Sequence, residues 1–101
     1  MNKVKTLAAA KTLAANLPKG VDEPAWNKLN KYVIALSKEA AGWKNATVLK
    51  LSQDLAKVSA KLYVKAKDKT LNPKDNTDAA EIATILNGCK ALPGVIEKQK
   101  S

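Results

Sequence analysis

Apolar residues recur along this chain at alternating steps of three and four. One run is Trp26, Leu29, Val33, Leu36 and Ala40; a second is Val48, Leu51, Leu55, Val58 and Leu62; a third is Ile82, Ile85, Cys89, Leu92 and Ile96. Such steps hold side chains on one side of an α-helix, so each run predicts an amphipathic helix whose apolar stripe needs a neighbour. An earlier segment is weaker, with Val4, Leu7, Ala14 and Leu17 on one side and Lys3, Lys5 and Lys11 near the other.

Helix breakers and capping residues fall between these runs. Pro18 and Gly20 separate the first from the second, Asp22 with Pro24 suits a helix start, and Gly42 suits an end. Asn45 can cap the third helix. The polar stretch KDKTLNPKDNTD (67–78) reads as the one long loop, and Asp78 with Glu81 three residues on resembles a capping box. The predicted helices span about 3–16, 23–41, 46–66 and 78–91. Short links favour antiparallel neighbours, so the expected fold is all-α, an antiparallel up-and-down four-helix bundle in a single domain over 1–101. The structural alternative is three helices with a loosely attached N-terminal arm.

Composition agrees with helices and narrows the chemistry. Of 101 residues, 46% are hydrophobic, drawn largely from Ala and Leu with no Phe, and such residues lose little entropy in a helix. The net charge is +9, and all 18 basic residues are lysine. Without the bidentate fork of arginine, this charge suits an anionic macromolecule, an acidic protein or a nucleic acid, without reading bases. No apolar run is long enough to span a membrane. The first twenty residues are basic and free of acids, as a targeting segment would be, but Lys11 interrupts the apolar stretch and a first helix is the expectation. As written the chain reads as cytoplasmic, or as exported if an upstream signal has been removed; oligomeric state is left open.

A Trp near the start of one helix, a pair of long Ala-rich helices, the KAKD turn (65–68) and the ending LNGCKALP (86–93) together resemble cytochrome c-prime-type helical bundles over roughly residues 22–93. That resemblance implies a four-helix fold and places Cys89 at the first haem thioether position, Leu92 at the second and Pro93 at the haem-ligating His. Two of the three attachment residues are therefore missing, the chain has no His, and no cofactor is expected.

The remaining chemistry is sparse. Cys89 beside Lys90 has the makings of a reactive thiol, but its place on the Ile82–Ile96 stripe predicts a small buried hydrophobe. Ser37, Ser52, Ser59 and Ser101 lack a His for a triad, and pairs such as Ser37 with Lys38 or Ser59 with Lys61 carry little weight among so many lysines. Asp68, Asp75, Asn76 and Asp78 offer oxygen ligands without calcium-loop spacing and amid Lys67, Lys69 and Lys74, so no metal site is expected. No catalytic set emerges.

Partner binding is the function class left standing. Trp26 belongs to a core stripe, whereas Trp43, at a helix junction, is the candidate contact anchor. Lys50, Lys57 and Lys61 share a side of the third helix, and Lys28, Lys31 and Lys38 share one on the second. The expectation is a non-enzymatic basic module that docks on an anionic partner through these faces. Its alternatives are a cofactor-free relative of the cytochrome bundles with a structural or binding role, and a nucleic-acid-associated accessory protein of phage or nucleoid type.

Overall fold

The computed structural model describes residues 2–100. Four helices follow one another: α1 (Asn2–Ala15), α2 (Glu23–Trp43), α3 (Ala46–Lys67) and α4 (Asn76–Glu97). Each touches its neighbours around a ring, α1 on α2, α2 on α3, α3 on α4 and α4 on α1, while the diagonal pairs do not meet. Contacts between helices run in opposite senses. Asn2 on α1 donates to the carbonyl of Gly42 on α2, Ser37 and Asn30 on α2 meet Ser52 and Ser59 on α3, and Lys65 on α3 meets Asp78 on α4. The architecture is the expected all-α antiparallel four-helix bundle, 40 × 21 × 20 Å. The N-terminal segment is not a loose arm: Thr6, Ala10 and Leu13 are buried against the other helices.

The stripe read on α2 is wholly buried: Trp26, Leu29, Val33, Leu36 and Ala40 have no exposed surface. On α3 the buried line is Val48, Ser52, Leu55, Ser59, Leu62 and Ala66, so the expected Leu51 and Val58 give way to two serines. Ser52 and Ser59 satisfy their hydroxyls on the carbonyls of Leu49 and Ala56, and Ser59 also donates to Asn30 Oδ1 at 2.8 Å. Satisfied in this way, small polar side chains let α2 approach more closely than leucines would. Leu51 is turned out to the flank, 38% exposed.

A similar correction applies to α1. Thr6 faces inward with its hydroxyl donated to the carbonyl of Asn2, while Val4, assigned to the apolar side, is 64% exposed. Leu7, Ala14 and Leu17 are half-buried. On α4 the line Ile85, Cys89, Leu92 and Ile96 is buried and Ile82 is half-buried.

Helix ends differ from the sequence reading at two places. Gly42 does not end α2, which continues to Trp43 and closes on Lys44 in the left-handed region (φ 63°), whose N–H donates to the carbonyl of Ala40. Nor does α4 end near 91. Pro93 has no N–H for the carbonyl four residues back, but Leu92 and Ile96 are both buried and packing carries the helix through to Glu97.

Its start also lies earlier than expected. Asp75, not Asp78, is the N-cap, and its side chain accepts from the N–H of Asp78 at 3.0 Å. At the start of α3, Asn45 is the N-cap as expected, its Oδ1 accepting from Val48 N–H at 3.0 Å. Asp22 occupies the N-cap position of α2 without a side-chain capping bond.

The loop between α3 and α4 is ordered by hydrogen bonds rather than by glycine. Thr70 N–H donates to Lys65 and Lys69 N–H to Ala66, a Schellman closure with Lys69 at the left-handed position (φ 61°). Leu71 then folds back into the core. The Asp78 carboxylate, 2% exposed, accepts from Lys65 Nζ and from the N–H of Asn72 at 2.9 Å. These bonds hold its pKa below the usual carboxylate value, Lys65 being the leading cause, and hold that of Lys65 above the usual amine value.

Candidate functional site

Cys89 is fully buried and makes no disulfide. Burial pushes its thiol up to about 11, because the interior disfavours the thiolate. A nucleophile needs a lowered pKa and access, and Cys89 has neither. Lys90, the neighbour that was to favour thiolate, is exposed on the other side of the helix. Cys89 and Leu92 are both buried in the bundle core, and Pro93 is half-buried within α4.

Ser37, Ser52 and Ser59 are equally committed to structure, and Ser101 lies outside the described residues. Ser37 donates to the carbonyl of Val33, and Ser59 is held by Asn30 and Ala56. Among the described residues no group of three or more His, Cys, Asp or Glu side chains is arranged to hold a metal ion. Trp26, fully buried, donates its indole N–H to the carbonyl of Gly20 at 2.8 Å, which ties the link between α1 and α2 onto the start of α2.

The lysine faces divide into two kinds. On α3, Lys50 Nζ lies 3.6 Å from Asp54 and Lys61 Nζ lies 3.0 Å from Glu81 of α4. Lys57 alone of the three faces solvent without an acid partner. On α2, Lys28, Lys31 and Lys38 are all exposed and form no ion pair among the described residues, and no acid occurs between Glu23 and Glu39. Lys28 Nζ stands 5.8 Å from the Tyr32 ring centroid, a cation–π geometry that leaves its ammonium at the surface. Four of the 18 lysines form ion pairs among the described residues. The Lys50–Asp54 pair is exposed on both sides and contributes little, about 0.2–1 kcal/mol, so Lys50 is exchangeable with an outside anion, whereas the Glu81 carboxylate that meets Lys61 is largely buried.

Trp43 is half-buried against the core at the end of α2. Lys28 is fifteen residues before it, or about 22 Å along the helix, so the two do not form one patch. Lys38 is only five residues before Trp43 but about 140° round the helix from it, so Lys28, Lys31 and Lys38 share one face and Trp43 lies off its side.

One feature escaped the sequence reading. Between α3 and α4 lies an apolar cleft of about 270 Å³, bounded by Leu51 and Leu55 on α3 and by Thr84, Gly88, Ala91 and Val95 on α4. Its signal was present in the steps of four, three and four along α4, one position out of phase with the buried line. Those residues are small, and attention to large apolar side chains passes over them.

Compared with protein-family models, with curated proteins and with solved structures, the chain matches none. Among the described residues no helix is long and apolar enough to cross a membrane.

Proposed function

We propose that this protein is a non-enzymatic helical interaction module that docks on an anionic macromolecule through its lysine faces. The observation that carries the reading is the α2 surface, where Lys28, Lys31 and Lys38 are exposed and unpaired. Placing like charges on one face without neutralising acids has a cost in self-repulsion, and an anionic partner relieves it. Ammonium groups bind phosphates and carboxylates as point charges, so recognition here follows charge density rather than base sequence.

The test is fluorescence anisotropy with labelled duplex DNA, single-stranded DNA and polyglutamate, each at about 50 and 200 mM salt, a range over which several released counterions change affinity by orders of magnitude. Binding to polyglutamate that weakens with salt, and weakens further in the triple variant Lys28→Gln/Lys31→Gln/Lys38→Gln, supports the module. Preference for DNA moves the nucleic-acid alternative to first place. Absence of binding to all three at the lower salt refutes the reading.

A further inference from the structure

Every buried stripe in the bundle is matched by another helix, but α4 carries two apolar lines and the bundle uses one. The inner line is Ile85, Cys89, Leu92 and Ile96. The outer line is Thr84, Gly88, Ala91 and Val95, and it forms the floor of the cleft whose opposite wall is Leu51 and Leu55. We propose that this cleft seats an amphipathic acidic helix of a protein partner. The inference rests on the anionic-partner reading and names the partner's shape.

Three observations point to a helix as the occupant. Steps of four, three and four are the spacing of a ridge that packs into the groove of another helix. From Thr84 to Val95 the line spans twelve residues, about 16 Å from first to last, the length of three turns, enough for anchors at i, i+3 or i+4, and i+7. At Gly88 no Cβ projects: one built there would lie 2.8 Å from Leu55 Cδ2, so Leu55 packs directly against the α4 backbone and closes the bottom of the groove. Leu51, 38% exposed, supplies an apolar edge to the cleft.

The sign of the partner follows from the rim. Beside the cleft the exposed Lys57 of α3 is without an acid partner among the described residues, and the exposed Lys98 takes the next step of three beyond Val95 on the outer line. Asp54, the one acid lining the cleft, is already paired with Lys50. A second copy of this chain brings another net charge of +9 to the same surface and is disfavoured; a helix with leucines on one side and glutamates on the other meets both the apolar floor and the lysine rim.

Two fluorescein-labelled peptides of about four helical turns test the proposal. One carries Leu at steps of three and four with Glu elsewhere; the other has the same composition scrambled to remove the stripe. The expected result is that the striped peptide binds at least tenfold more tightly, shifts the amide resonances of Leu51, Gly88 and Ala91, and loses at least tenfold on Ala91→Glu. Ala91 is exposed and glutamate is a good helix former, so that variant keeps the fold, which its circular dichroism checks. Equal binding of both peptides, unaffected by Ala91→Glu, overturns the cleft and leaves the lysine faces standing. Failure of both peptides while polyglutamate or DNA binds likewise overturns the cleft alone, and failure of every anionic probe removes the underlying reading as well.

Discussion

Replacing Cys89 with alanine turns the buried thiol into a measurable pH dependence. Near neutral pH the thiol is protonated in both the folded and the unfolded chain, so Cys89→Ala costs only the packing of one sulfur, about 1–2 kcal/mol. Raising the pH separates the two states. In the unfolded chain the thiol ionises around its ordinary value of 9.0, whereas in the folded chain it holds its proton until about 11. The unfolded state then binds fewer protons, and stability falls as pH rises through that window. At about pH 10 the unfolded thiol is roughly nine-tenths ionised and the folded one about one-tenth, a difference of about 1.4 kcal/mol. Other groups titrate nearby, lysines above all, but they are common to the parent protein and the variant. The quantity to follow is therefore the parent-minus-variant stability, from urea unfolding monitored by circular dichroism at about pH 7 and pH 10. It should shrink by about 1.4 kcal/mol, enough to cancel most of the packing advantage. A difference that stays constant would mean that the thiolate is as well accommodated in the native protein as in the unfolded chain, and the assignment of Cys89 to a dry interior would fail.

Other perturbations give equally direct readings. Asp78→Asn should loosen the loop between α3 and α4, and because the Asp78 pKa is lowered by Lys65, the parent should lose stability as pH falls from the ordinary carboxylate range through its folded value; acid titration of both proteins by circular dichroism should show a smaller acid sensitivity in the variant. Trp26→Phe retains most of the ring but forfeits the N–H bond to Gly20, so thermal or urea unfolding should report a loss of about 1 kcal/mol, and no loss would mean that the bond is replaced by water. Lys69→Gly should raise stability by about 1 kcal/mol, since glycine adopts the left-handed conformation without strain, whereas a decrease would argue against the Schellman closure.

How much of this was legible beforehand differs from helix to helix. The α2 stripe could be read residue by residue, because all five positions carry apolar side chains at helical spacing and nothing competes with them. On α3 the same logic chose Leu51 and Val58 over Ser52 and Ser59, since periodicity weighs hydrophobicity and is blind to the hydroxyl bonds that let serine sit in a tight interface. Pro93 and Gly94 marked a plausible helix end, yet burial of Ile96 outweighs the missing hydrogen bond. The N-cap lies three residues upstream, at Asp75, and the Asp78 side chain is held instead by Lys65 and Asn72, contacts that only the folded loop creates. Candidate site residues fared unevenly for a related reason. Lys28 and Lys31 needed only exposure, but whether Lys50 and Lys61 find an acid depends on how neighbours are placed, and the position of Trp43 depends on where α2 stops.

The ring order of the helices has a consequence for how the bundle forms and opens. Three of its four interfaces join helices adjacent in sequence, so they close over short loops at small entropic cost, whereas α1 meets α4 only after the whole chain has come round. That last interface is also held by the helix with the fewest buried residues, Thr6, Ala10 and Leu13. By burial, α1 is the helix that should peel away first in partial opening, which faster amide exchange in α1 than in α2 and α3 would show. When it does, the protein exposes the inner flanks of α2 and α4 while the lysine face and the α3–α4 cleft stay assembled.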